Sequence, residues 1–275
     1  MGLSHWLAGI AVAAAGGGDS LLLDTYSSAA VAYSLRKVRT AYSGSAIRVQ
    51  RSNDDTEQDI GFDGSGNLDT SALASFVGSN TGYIVTWYDQ SGNSNNATAT
   101  GSTRPVIVSS GTLVELGSKP ALSASSTQWV TLSSALAIAS GQSGSYWMTY
   151  HKDASTSAIL LTSSTNYMWY DDGADQYITN SKVINVGSAP YSTGTRYLHN
   201  CIMTYSSSAE LFKNGTSIGS FSGSYGGASG MSTLPSIGTF RTAKLLMQEF
   251  VFWQSDQASN RSGIESNIND YWSIY

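Results

Sequence analysis

The hydrophobic and polar positions of the second two-thirds of the chain fall into short runs of four to ten residues. Tyr83-Ile84-Val85-Thr86-Trp87-Tyr88 is dense in β-branched and aromatic types and stops at Asp89-Gln90-Ser91-Gly92, a turn. Similar runs predict strands at Pro105–Val108, Trp129–Leu132, Tyr146–Tyr150, Ala158–Leu161, Tyr167–Tyr170, Asn200–Tyr205, Ala209–Lys213, Thr216–Phe221 and Lys244–Trp253. Gly, Asn or Ser separates them, and Asn214-Gly215 is a strong hairpin signal. Upstream, Ala46–Arg51 alternates apolar and polar residues, the mark of a half-buried strand. Residues 28–40 read as a short amphipathic helix, with Ala29, Ala30, Ala32, Tyr33 and Leu35 opposite Arg36, Lys37 and Arg39. A second helix is predicted from Asp69 as N-cap to Gly78. A third follows the cap oxygens of Ser255-Asp256, with Ile264, Ile268 and Tyr271 on one face. The pattern predicts an all-β fold, a jelly-roll β-sandwich with short peripheral helices.

Composition narrows this further. Charged residues are 12% of the 275, about half the ~25% usual for soluble domains. Long amphipathic helices need Lys, Glu and Arg on their wet faces, so that scarcity favours sheets with hydroxyl and amide surfaces. The net charge of −5 leaves no electrostatic footprint for nucleic acid. No apolar run reaches the ~18 residues of a membrane span. The charge that exists is concentrated: five of the 14 basic residues lie between Arg36 and Arg51, and Asp54, Asp55, Glu57, Asp59 and Asp63 follow at once. This reads as a self-compensating corner. The single cysteine, Cys201, excludes an intrachain disulfide and reads as a buried thiol. At the N-terminus an apolar run from Trp6 to Ala15, including Leu7, Ile10 and Val12, precedes Gly16-Gly17-Gly18. No Lys or Arg occurs before Arg36, so the basic region of a signal peptide is missing. The expected layout is an apolar attachment arm at 1–20 and one β-sandwich domain at 21–275.

The best candidate site is the stretch Tyr167, Trp169, Tyr170, Asp171, Asp172, Asp175 and Tyr177. Aromatic faces stack on the apolar faces of sugars, and carboxylates accept hydrogen bonds from sugar hydroxyls. The competing reading is a hairpin whose aromatics fill the core and whose Asp residues make the turn. Three Asp in five residues could also serve Ca²⁺ as hard oxygen ligands, without EF-hand spacing. No other cofactor is expected. His5, His151 and His199 show no metal-ligand spacing, so no metal centre is predicted. Asp89 is explained by a turn in which the carboxylate bonds the backbone two residues on. Phosphate loops, nucleotide fingerprints and nucleophile elbows are missing.

Two stretches carry a family resemblance. One runs from Ala32-Tyr33-Ser34-Leu35-Arg36 through Tyr42-Ser43-Gly44, Ile47-Arg48-Val49 and Arg51-Ser52 to Asp59-Ile60; the other is Thr86-Trp87-Tyr88-Asp89-Gln90-Ser91-Gly92-Asn93 with Asn96. Together they resemble the start of the catalytic domain of the fungal α-L-arabinofuranosidase B family. That resemblance implies a concanavalin A-like β-sandwich and retaining cleavage of arabinofuranosides. Leu211-Phe212-Lys213-Asn214-Gly215, Ile237-Gly238 and Gln248-Glu249-Phe250-Val251 resemble laminin-G-like and concanavalin A-like lectin domains. The chain departs from the family in having one cysteine where the family has a vicinal pair in its sugar site. The family's nucleophile and acid motifs have no evident counterpart, and Glu249 takes no catalytic role from the resemblance. The same N-terminal signature is similar to one in tail, fibre and head-spike proteins of bacteriophages. The leading expectation is therefore a non-enzymatic structural and adhesion protein of a phage virion. Its arm would bind other virion proteins or copies of itself, as a trimer by analogy, and its sandwich would meet host cell-surface polysaccharide. The alternative is an arabinofuranosidase-like glycoside hydrolase or a secreted bacterial lectin.

Overall fold

The computed structural model describes residues 20–275, apart from 126, 137, 139–140, 153–157, 163–166, 172–175, 180–181, 186–194, 205–206, 224–235 and 239–243; between 152 and 194 it describes strand backbone alone. In chain order the first half holds α1 (Leu22–Thr25), β1 (Val31–Ser34), β2 (Ile47–Arg51), β3 (Glu57–Ile60), α2 (Thr70–Val77), β4 (Gly82–Trp87), β5 (Ala97–Thr98), β6 (Val106–Ser109), β7 (Thr112–Leu113), β8 (Leu122–Ser125), β9 (Trp129–Leu132) and β10 (Ser143–Lys152). The second half holds β11 (Ala158–Thr162), β12 (Tyr167–Asp171), β13 (Gln176–Thr179), β14 (Lys182–Asn185), β15 (Arg196–Thr204), β16 (Ser208–Lys213), β17 (Thr216–Ser222), β18 (Ser236–Gly238), β19 (Lys244–Trp253) and α3 (Arg261–Trp272).

The described pairings are antiparallel and build an all-β sandwich. One sheet runs β17-β16-β15-β10-β19-β1. The other runs β3-β2-β4-β5-β9-β18-β11-β12. β8 joins the start of β19 to β6, and β6 pairs β4, so the two sheets are stitched along one side. β13 and β14 form a separate hairpin. The long strands β10, β15 and β19 are the spine. Their side chains alternate between the sandwich interior and a face covered by α3.

Most strands lie within a residue or two of their predicted bounds. The hairpin at Asn214-Gly215 has φ of 49° and 77° at its two central residues, the left-handed pair that a two-residue turn matching strand twist requires. The helix after Asp69 is also as predicted: the Asp69 carboxylate accepts from Ala72 N at 2.9 Å. The helix expected over 28–40 is not formed. Val31–Ser34 is strand, all four residues buried, and the strand pairs β19 from Val31↔Phe252 to Ser34↔Glu249. A strand buried on both faces lacks alternation, and its continuous apolar run imitates a helical stripe. The α3 start also differs. Asp256 caps a 3₁₀ turn at Ala258–Asn260, accepting from Ala258 N at 2.8 Å, and the α-helix begins only at Arg261. Its apolar face is as expected, with Ile264 and Ile268 fully buried, and Trp272 joins them.

The charge block behaves largely as read from the sequence. Arg48 pairs with Asp59 at 2.8 Å and Arg51 with Asp54 at 2.6 Å, both near the surface. Arg36 leaves the block and pairs inside the protein with Glu249. The arm residues Trp6, Leu7, Ile10 and Val12 lie outside the described residues.

Candidate functional site

The Trp-Tyr-Asp-Gln-Ser-Gly-Asn stretch is a clamp for β1. Asp89, 3% exposed, accepts from Ala32 N and Ser91 N at 2.9 Å, from Ser91 Oγ at 2.7 Å and from Asn95 N at 3.1 Å. Gln90 donates to Ser34 O and Arg36 O and accepts from Val38 N. Asn93 donates to the carbonyls of Ala29 and Ala30. Both family-like stretches thus meet in one hydrogen-bond network that holds the edge of β1 that β19 leaves open. Asp89 is saturated by this work, as the turn reading of the sequence predicted.

Glu249 is held in a second network, on the face under α3. Its Oε2 accepts from Ser34 Oγ at 2.8 Å, Arg36 Nε at 2.8 Å and Trp272 Nε1 at 2.9 Å, and its Oε1 accepts from Arg36 Nη2 at 3.1 Å. Arg36 also donates to Asn267 and lies over the Tyr271 ring. A β-bulge places this residue. Thr149 pairs Glu249 and Tyr150 pairs Met247, so Gln248 is extra. The bulge sends the Gln248 amide to the carbonyls of Leu116 and Pro120. Glu265, on the buried face of α3 itself, is paired with Arg261 at 2.8 Å, and burial pushes its carboxyl up.

The interior face of the long sheet has a different character. Tyr33 stacks toward Phe250 at 6.4 Å, Phe250 toward Tyr146 at 6.1 Å, and Tyr146 lies 5.7 Å from the His199 ring. The Tyr146 hydroxyl and His199 Nε2 are 3.1 Å apart. His199 is fully buried, and that burial pushes its imidazole down to about 3, so it is neutral at physiological pH. Further along the same face Tyr150 and Tyr197 are 6.3 Å apart, with Lys213 over the Tyr197 ring. At the other end of the row Tyr33 lies 5.8 Å from Trp87 of β4, which sets β1 across from β4. The strand orders then put β11 and β12 across from the β15–β17 end, where His199, Tyr197 and Lys213 lie. The result is an aromatic wall with a neutral imidazole and a lysine at one end. The rings and the imidazole of this wall are at most 5% exposed, so it packs the sandwich interior.

The predicted site strand is present: Tyr167, Trp169, Tyr170 and Asp171 are on β12, and Tyr177 is on β13. Asp172 and Asp175 lie outside the described residues, and no side-chain geometry is described for any of the seven. The Tyr146–His199 pair was missed in the sequence because nothing in the two strands announces that residues 53 apart share a face. Cys201, opposite Tyr146 on β15, is fully buried, and burial pushes its thiol up, as a structural cysteine requires. No cluster of His, Cys, Asp and Glu suited to a metal ion occurs among the described residues.

The sequence profile of the family described as "Alpha-L-arabinofuranosidase B, catalytic" matches residues 24–172. This chain belongs to that family. Its fold agrees. The arabinofuranosidase B-like chain superposes with a TM-score of 0.64 on a GH54 α-L-arabinofuranosidase soaked with a cyclic sulfate inhibitor, at 15% identity over 90% of this chain. It superposes with a TM-score of 0.62 on an arabinofuranosidase complexed with arabinofuranosyl-α-1,2-xylobiose, at 17% identity over 90% of this chain. The arabinofuranosidase B-like chain spans 64% of the length of both proteins. No curated protein sequence matches it. These findings overturn the expectation of a non-enzymatic virion fibre, spike or attachment protein. The matched family is a glycosidase catalytic domain, and the shared signature stretches are the β1 clamp, a folding device that carries no information about attachment. A neutral hydroxyl and amide surface suits sugar binding as well as subunit packing, so composition could not separate the two.

Proposed function

We propose that the chain is an arabinofuranosidase-like glycoside hydrolase whose sugar site lies at the β11–β14 end of the sandwich. The observation that carries this reading is the family match, which extends through β11 and β12 to residue 172. Carboxylate accounting supports the location. Asp89, Glu249 and Glu265 are the buried acids among the described residues, and each is engaged by backbone amides or an arginine. A retaining glycosidase needs two free carboxyls about 5–5.5 Å apart, one as nucleophile and one as acid and then base. Asp171, Asp172 and Asp175 are the acids assigned to that work, with Tyr167, Trp169, Tyr170 and Tyr177 as the stacking surface. The departure from the family's cysteine pair leaves the sugar to be held by aromatics and hydroxyls.

The test is release of 4-nitrophenol from 4-nitrophenyl α-L-arabinofuranoside. Asp171→Asn, Asp172→Asn and Asp175→Asn are each assayed with an equilibrium binding measurement on arabinose. Loss of the acid–base group is expected to lower kcat by about 10²–10⁴-fold while arabinose still binds. Binding without turnover in the unsubstituted chain would instead mean a lectin and would sink the hydrolase reading.

A further inference from the structure

A cavity of about 410 Å³ opens beside the ends of β2 and β3, between the segments at 37–45 and 61–66. It is bounded by Lys37, Tyr42, Gly44, Phe62, Asp63 and Gly66. None of these side chains belongs to the interior aromatic wall or to the β11–β14 hairpins. Two rings form its body: Tyr42 and Phe62 meet edge to face at 6.4 Å, and both are half-buried. A side chain at Gly44 would run into the Tyr42 ring, its Cβ 2.7 Å from Cζ, so a bare backbone is needed there for the loop to lie over the ring. The Tyr42 hydroxyl donates to Ser45 O at 2.8 Å, which fixes the ring and leaves the phenolic oxygen free to accept.

The polar groups are set by a tight loop. Asp63 accepts from Ser65 N at 2.8 Å, from Asn67 N at 2.9 Å and from Asn67 Nδ2 at 3.1 Å. Those bonds hold its carboxyl below the usual carboxylate range, so it is charged. Two amides already fill Oδ1, whereas Oδ2 takes only the Asn67 side chain and retains a lone pair. Lys37 is half-buried and its backbone is pinned by donation to Gly66 O at 2.7 Å, while its ammonium has no hydrogen-bond or ion-pair partner among the described residues. One open cleft thus presents a flat aromatic surface, a charged acceptor and an uncommitted triple donor. Hydrophobic ring faces edged by hydroxyls that both donate and accept are the complement of that set. An inorganic anion would meet the Asp63 charge, and a purely apolar ligand would leave Lys37 and Asp63 unsatisfied.

We propose that this corner is a second saccharide site, taking a neutral sugar residue of a polysaccharide chain outside the site of bond cleavage. The sugar ring lies on Phe62 and Tyr42, Lys37 donates to its hydroxyls, and Asp63 accepts from them. The choice of a saccharide rests on the family reading above, whereas the location and donor set rest on the cavity itself. Such a site holds a polymer on the protein without touching the reacting bond, so it acts on polymeric substrates and leaves small ones unaffected.

The experiment uses the full chain with soluble arabinoxylan in native affinity gels, beside turnover of the aryl arabinofuranoside. Lys37→Ala removes a donor at the surface, and Phe62→Leu removes the ring while keeping most of the volume. Each is expected to weaken retardation about tenfold, the loss of one hydrogen bond or stacking contact, with unchanged aryl turnover and an unchanged melting temperature. Unchanged retardation in both variants would overturn the proposal. So would a loss confined to Phe62→Leu that tracks a lowered melting temperature. If the unsubstituted chain gives no aryl turnover, the hydrolase reading fails while the retardation comparison still decides for or against this site.

Discussion

Replacing Glu249 by Gln tests the claim that the buried acid nearest the family-like tail is structural. The pair it forms with Arg36 has side chains 1% and 6% exposed. Four donors converge on the carboxylate: Ser34 Oγ, Arg36 Nε, Arg36 Nη2 and Trp272 Nε1. A Gln amide offers one oxygen. If that oxygen keeps the Oε2 position and its three donors, the amide NH₂ faces Arg36 Nη2, donor against donor. The guanidinium then stays buried without a counter-charge. Breaking a buried pair from one side costs about 3–5 kcal/mol, within a total stability of roughly 5–15 kcal/mol for a domain. Equilibrium urea unfolding read by tryptophan fluorescence measures this, provided the m-value is unchanged. The double substitution Arg36→Met with Glu249→Leu should recover much of the loss, because it removes both buried charges together. Activity per folded molecule on the aryl arabinofuranoside should be unaffected by Glu249→Gln. A stability loss under about 1 kcal/mol, or a loss of turnover in a fully folded Glu249→Gln protein, would falsify the structural assignment.

Three further outcomes follow from the same geometry. Burial pushes His199 down to about 3, so between about 6.5 and about 3 the unfolded chain binds a proton that the native state refuses. Stability from this group is therefore complete above about pH 6.5 and declines as pH falls, by roughly 2 kcal/mol at pH 5. His199→Gln should flatten that part of the pH dependence in urea melts at pH 7.5 and 5. Gly215 sits at φ 77° in the β16–β17 turn, and Gly215→Ala should cost about 1–2 kcal/mol from left-handed strain, read as a lowered melting temperature. Asp69→Ala removes the α2 cap and should cost about 1 kcal/mol; an unchanged melting temperature would mean that α2 is held by Leu73, Phe76 and Val77 alone.

The sequence by itself determined most of the strands, the β16–β17 turn, the capped helix at Asp69 and the all-β class. These are local properties: β-branched and aromatic runs, Asn-Gly, and a carboxylate three residues before an open amide act within a few residues of themselves. That the charge block pairs within itself was legible from its pattern, although the partners, such as Arg48 with Asp59 across β2 and β3, were not. The family was legible in the two stretches that form the β1 clamp, although their role in holding β1 was not. Tertiary structure alone decided that Val31–Ser34 is strand, because its identity comes from pairing with Val251 and its neighbours more than two hundred residues away. It alone sent Arg36 out of the charge block to Glu249, through a bulge at Gln248 that no local pattern marks. It alone set Tyr146 beside His199, through the pairing of β10 with β15, and opened the Lys37–Phe62 cleft, through the approach of the segments before β2 and after β3. Local chemistry chooses elements, but a site is made by register, and register is settled only when the sheets close.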